Sequence, residues 1–283
     1  MAIDPARLKA YAFPEIAHDY VERDAILYAL GLGLGDDPTA SGDLDHLLET
    51  RLKVLPTMAV TLSSPGMWVR DPALGIDWVR LVHSAQEAEF LAPLPPRGKV
   101  IGSARIADLF DRSADRGAVI VVERKIRDAE SGLLYCVLRQ TLLARGDGGF
   151  GGEPPPAEPG AAPPARGPDS SVRLPVSRRA ALIYRLSGDW NPLHADPEVA
   201  RAAGFPRPIL HGLASYGMAG VAICRALGEP MENLRALSLR FANVVYPGDP
   251  LEFAIWRDKD NVTFEARVEN KIVLNRGRAL LGG

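Results

Sequence analysis

Gly212-Leu213-Ala214-Ser215-Tyr216-Gly217-Met218-Ala219-Gly220-Val221-Ala222-Ile223-Cys224-Arg225-Ala226-Leu227 is the stretch on which the fold turns. It reads as one helix starting at His211 and closed by Gly228, a residue suited to the left-handed C-terminal cap. Glycine inside a helix costs roughly 1 kcal/mol against alanine. Retaining Gly212, Gly217 and Gly220 among so many small residues therefore predicts that other backbone approaches this helix closely. A sheet curled around it would do so.

Outward from the helix, the C-terminal side alternates in the manner of strands over 236–245, 251–256, 262–268 and 272–281. Pro-Gly-Asp, Asp-Lys-Asp-Asn and Glu-Asn-Lys break these runs as turns. On the N-terminal side, 178–186 has helical spacing. Asp196 then reads as an N-cap with Pro197 at the first helical position and Gly204 as the stop. The earlier part of the chain repeats the plan, with a helix over 21–30 and strands over 78–82, 99–108, 118–127 and 133–143. Helices followed by antiparallel strands make the class α+β. Ile26–Gly31 echoes Leu182–Ser187, and Val54–Thr57 sits where Ile209–Gly212 stands in the other half. The nearly equal offsets imply a duplicated fold. Between the copies, Gly146–Pro168 is dense in Pro and Gly and reads as a linker. The expected organisation is 1–147, a linker over 148–170, and 171–283.

The chain has 283 residues, 47% hydrophobic and 24% charged, with a net charge of -2, which is ample for two cores. No basic block suggests nucleic acid, and no apolar run approaches the ~20 residues of a membrane span. Cys136 and Cys224 lack metal or disulfide spacing and read as buried apolar residues. The N-terminal residues lack a signal-peptide layout and Leu280–Gly283 carries no peroxisomal tripeptide, so the expected location is cytoplasmic.

Chemistry concentrates in Tyr184-Arg185-Leu186-Ser187-Gly188-Asp189-Trp190-Asn191-Pro192-Leu193-His194-Ala195-Asp196-Pro197. Pro192 interrupts any helix and drives Asn191 extended, so the turn can bring Asp189 and His194 to one pocket. A carboxylate and an imidazole around one water suit acid/base activation. The same residues also fit a bland reading, with Asp189 capping the turn and His194 a satisfied buried histidine. A metal set of Asp189, Asn191, His194 and Asp196 lacks a second histidine or cysteine, so no metal is expected. Gly212, at a helix start with unpaired amides and a positive dipole end, is placed to meet a developing oxyanion.

These residues resemble the hydratase-2 motif of the MaoC-like dehydratase family, in particular the hydratase-2 unit of peroxisomal multifunctional β-oxidation enzymes. The likeness runs over Leu182–Pro197, Ala202–Phe205, Pro208–Leu213, Arg240–Ala242 and Val245–Gly248, and in the first half over Glu22–Gly33 and Val54–Thr57. It implies a double hot-dog fold, two curved antiparallel sheets each wrapped on a central helix, and a homodimer. The implied reaction is reversible (R)-specific hydration of trans-2-enoyl-CoA to (3R)-3-hydroxyacyl-CoA, a hydro-lyase activity. Coenzyme A enters only as part of the substrate, with no other cofactor. Carried over, Asp189 and His194 activate water, Asn191 helps hold it, and the Gly212 amide receives the thioester oxygen. Substrate contacts map to Trp190, Pro192, Leu193, Phe241, His83, Ser84 and Arg112. The family commonly has Gly at Ser84 and Lys at Arg112; arginine keeps the charge for a phosphate. The first half lacks counterparts of Asp189 and His194, Leu30–Gly33 reading Leu-Gly-Leu-Gly, and is expected to house the acyl chain, with Ala29 and Val54 as lining candidates. His211 is expected to matter less than His194. The alternatives are a hot-dog acyl-CoA thioesterase and a non-catalytic acyl-CoA-binding protein. The intact Asp189/His194 pair argues against both.

Overall fold

The structure is a computed structural model and describes residues 3–37, 39–156 and 163–282. After a short helix α1 (Pro5–Lys9), capped by the Asp4 carboxylate, come β1 (Ile16–Tyr20) and α2 (Glu22–Gly31). A run of turns and 3-10 segments follows. Four long strands then form: β2 (Leu81–Phe90), β3 (Gly98–Asp111), β4 (Ala118–Asp128) and β5 (Leu134–Ala144). The second half has β6 (Ser170–Leu174), α3 (Ala180–Tyr184), α4 (Pro197–Ala202) and α5 (Gly212–Leu227). It closes with β7 (Leu234–Phe241), β8 (Leu251–Asp258), β9 (Asn261–Val268) and β10 (Lys271–Leu281).

All ten strands belong to one antiparallel sheet in the order β1-β3-β4-β5-β2-β7-β10-β9-β8-β6. Read outward from the β2–β7 seam, the two halves have the same topology: β2, β5, β4, β3, β1 on one side and β7, β10, β9, β8, β6 on the other. This is the double hot dog. The half-sheets run into one another through Ala85–Glu89 of β2 paired with Ala236–Arg240 of β7. The echoed helices also meet. The Tyr28 and Tyr184 rings lie 5.8 Å apart, and an added Cβ on Gly31 would touch the Tyr184 Cα at 3.2 Å.

Helix α5 is buried from Ala214 to Cys224, and Gly228 ends it in the left-handed conformation, as its sequence implies. Its glycines face other partners than a sheet alone. A Cβ on Gly217 would strike the Tyr28 hydroxyl at 2.6 Å and Leu32 Cδ1 at 2.7 Å. One on Gly220 would press Leu234 and Thr57, each at 3.2 Å. The small residues let the first half approach. In that half the position matching the α5 start holds only a 3-10 segment, Pro56–Thr61, so the central helix is long in one copy and vestigial in the other.

Trp78–Arg80 is 3-10, and the strand expected there begins at Leu81 and runs to Phe90. The Pro/Gly-rich segment is tied down at its start: the Gly149 and Gly151 amides donate to the Asp111 carboxylate at 2.8 and 2.7 Å, and Asp111 N–H donates to the Glu153 carbonyl at 2.8 Å. The middle of the 148–170 linker, 157–162, lies outside the described residues, as do 1–2, 38 and 283. Cys136 and Cys224 are free and buried. Among the described residues, no helix is long and apolar enough to cross a membrane.

Candidate active site

The Asp189–His194 turn is shaped by local chemistry. After α3, residues Arg185–Ser187 tighten into a 3-10 turn, and Gly188, at φ 108°, reverses the chain where a side chain would be strained. Asp189 accepts the Asn191 amide at 3.2 Å, and Asn191 in turn accepts the Leu193 amide at 3.1 Å. Asn191 is extended ahead of Pro192, which opens the one-turn segment Pro192–His194. One Asp189 carboxylate oxygen thus caps the turn, and the second stands outside that bond.

His194, 8% exposed, donates from Nδ1 to the Ile209 carbonyl at 2.9 Å. A carbonyl only accepts, so the proton sits on Nδ1 and the Nε2 lone pair is left for the site. Burial pulls the His194 pKa below its ordinary value, opposed by the Ile209 carbonyl and the charge of Asp189. His211, the residue before α5, stacks on His194 with centroids 3.8 Å apart and planes 26° apart. Its Nε2–H donates to the Asp189 carbonyl at 3.2 Å, while its Nδ1 is buried with no partner. Burial, then the neighbouring His194, push His211 down to about 4. The ligand atoms of Asp189, His194 and His211 lie within 4.8 Å of one another. The second histidine missing from the linear motif is thus supplied by the fold.

Gly212 is the first residue of α5. The amides of Ala214 and Ser215 donate to the His211 carbonyl, while those at the very start have no acceptor in their own helix. The Phe241 ring covers Gly212, 3.3 Å from where a Cβ would stand, and packs edge-on against His83 at 5.0 Å. Burial brings His83 down to about 4, and its Nε2 donates to the Ala85 carbonyl at 3.0 Å. Asp189, His194, Gly212, Phe241 and His83 therefore form one contiguous wall. Ser84 sits at a bulge where the β2–β5 register slips, and its hydroxyl donates to the Thr141 carbonyl at 3.1 Å.

Other candidates spread wider. Trp190 is exposed, with the Arg185 guanidinium 4.5 Å above its ring; Pro192 is exposed and Leu193 half-buried. Arg112 is at the β3–β4 turn, three strand spacings from His83, or roughly 14 Å sideways. Ala29 and Val54, the lining candidates, are core residues, 1% and 7% exposed. A separate narrow cleft is lined by residues including Val60, Ser64, Gln86, Arg124 and Leu213. Sequence reasoning set His211 aside because stacking across seventeen residues leaves no local pattern. Its one signal was adjacency to Gly212.

Comparison with known proteins agrees with this geometry half by half. Residues 18–146 match the family described as the MFE-2 hydratase 2 N-terminal domain, and residues 160–276 match the MaoC like domain. The chain is 39% identical to the enoyl-CoA hydratase ChsH3 of Mycobacterium tuberculosis, over 87% of this chain and 86% of that one. It is 38% identical to 3-hydroxyacyl-thioester dehydratase Y of the same organism, over 98% of each. The MaoC-like dehydratase of Phytophthora capsici superposes with a TM-score of 0.86 at 26% identity, covering 99% of both chains. With the catalytic-type turn confined to one of two matching halves, and with each half aligned to its own branch, the chain belongs to the MaoC-like dehydratase family, in its two-domain hydratase-2 form.

Proposed function

We propose that the chain hydrates trans-2-enoyl-CoA to (3R)-3-hydroxyacyl-CoA, reversibly, as a hydro-lyase. The observation that carries this is the convergence of the Asp189 carboxylate and His194 within 4.8 Å, beside the Gly212 end of α5. Water held between the two polar groups adds at C3, and a proton goes to C2. Charge building on the thioester oxygen is met by the Gly212 amide, the kind of donor whose removal typically raises a barrier by ~3 kcal/mol. Asn191 keeps Asp189 aimed through its backbone amide, and its side-chain nitrogen remains to hold the water. The R configuration follows from the family resemblance.

The reading needs no metal or redox cofactor, since only water and a proton are transferred. The stacking of His194 and His211 supports it. Nearly parallel rings 3.8 Å apart point their in-plane lone pairs side by side, and the His211 Nε2 already donates to the Asp189 carbonyl. The CoA moiety is read as passing Phe241 and His83 toward Arg112, whose separation from the site suits a phosphate of a long thioester. We further read the molecule as a homodimer in the cytoplasm, in keeping with two free thiols. Size-exclusion chromatography and cell fractionation check both points.

Asp189→Asn keeps size and most hydrogen bonds but removes the base. The expected result is a folded protein by circular dichroism with hydration of crotonyl-CoA reduced ~10²-fold or more. Activity above about a tenth of wild type would overturn the role given to Asp189. Release of free CoA thiol in place of hydration would favour a thioesterase.

A further inference from the structure

In the first half, β4 turns Ile120, Val122 and Ile126 inward, at 0%, 3% and 0% exposure. Arg124 occupies the same face of the strand by its two-residue period. A guanidinium thus stands where the pattern calls for an aliphatic side chain. Its Nη2 donates to the Val60 carbonyl at 2.7 Å, and its Nε is buried with no partner. Among the described residues no carboxylate pairs with it. The adjacent Glu123 points to the opposite face and is engaged by Arg105 and Arg139 at 2.9 and 3.0 Å. Burial lowers the Arg124 pKa to about 10, so it stays charged at neutral pH.

Arg124 is half-buried with its Nε shut from solvent, and a guanidinium so placed is poorly satisfied without an anion to meet it. Arg124 lines a narrow cleft, with about 60 Å³ of space, beside the 3-10 segment that stands where the first half lacks a long central helix. Gln86, Gln140 and Ser64 add polar groups to the same walls, and Leu213, next to Gly212, lines the cleft as well. A neutral acceptor would satisfy the hydrogen bonds but leave the charge uncompensated.

Building on the hydratase reading, we propose that this cleft is a subsite for an anionic acyl tail. The substrate class is a 2-enoyl thioester whose far end bears a carboxylate, paired with Arg124.

The test compares trans-2-enoyl-CoA thioesters from about six to about twelve carbons, each ending in a methyl group or a carboxylate, with crotonyl-CoA as the short reference. At one chain length, wild type should show kcat/KM at least about tenfold higher for the carboxylate-ended thioester. Arg124→Met should abolish that preference and change crotonyl-CoA turnover by less than about threefold, while Arg124→Lys retains part of it. A methyl preference at every length in wild type overturns the proposal. So does an equal loss on all substrates in Arg124→Met, the mark of a structural cap on Val60 or of a CoA-phosphate contact. If Arg124→Met does not fold, the wild-type series and Arg124→Lys decide. If crotonyl-CoA itself is not hydrated, the hydratase reading fails separately. Calorimetric binding of saturated carboxylate-ended against methyl-ended acyl-CoA then decides the subsite, tighter binding of the carboxylate supporting it and equal or weaker binding refuting it.

Discussion

On the proposed reading, His211 serves the site without bearing the reaction. It fixes the Asp189 carbonyl and lies flat on His194, so it positions both members of the acid/base pair. His211→Phe keeps the stacking and loses the hydrogen bond. Hydration of crotonyl-CoA should fall about tenfold, less than the ~10²-fold or greater loss expected for His194→Ala. The same variant carries a pH signature. The folded His211 pKa near 4 lies below the unfolded value of about 6.5, so the folded state binds fewer protons. Its contribution is complete above pH ~6.5 and is lost as pH falls toward 4, by up to about 3 kcal/mol. Thermal melts should show wild type losing Tm through that window and His211→Phe losing less; parallel curves would contradict the assignment. Asp189 and His194 were legible in the sequence because Pro192 forces a turn within six residues. His211 and Arg124 were not, because stacking and an inward guanidinium exist only once distant strands have met.

At the scale of elements, the helix α5 and the long strands were readable from period and turn chemistry. The edge strands β1 and β6 were not. Five residues with every second one exposed carry little pattern, and β6 starts two residues after the Pro/Gly-rich stretch ends at Pro168. The small-residue face of α5 was legible as a close approach, but not that α2 is what approaches. Gly217→Ala tests this contact. Its helix propensity gain of about 1 kcal/mol is outweighed by Cβ overlap with Tyr28 and Leu32. A net destabilisation of roughly 1–3 kcal/mol is expected in urea unfolding. An unchanged or raised midpoint would show that α2 yields easily.

For the whole molecule, nearly equal offsets revealed the duplication, whereas the continuity of the sheet depends on which edges meet, a long-range choice with no local signature. The halves are joined by the β2–β7 seam and by Arg225 at the end of α5, which donates to both oxygens of Asp43 at 2.6 and 2.7 Å. Residues 171–283 expressed alone would bare the β7 edge and the face of α5 that meets Tyr28 and Thr57. The fragment should be insoluble or self-associate, seen by light scattering. A soluble, monomeric, folded fragment would contradict the seam's importance. The seam has a wider consequence. Where two identical subunits met at such an edge, every substitution would appear twice, and a cation suited to one interior would be imposed on the other. Tethering the copies in one chain removes that constraint: β9 keeps Val262, Phe264 and Ala266 buried on its inward face, while its counterpart β4 carries Arg124. On the proposed reading, this broken symmetry lets one copy keep the chemistry and the other diverge toward selectivity.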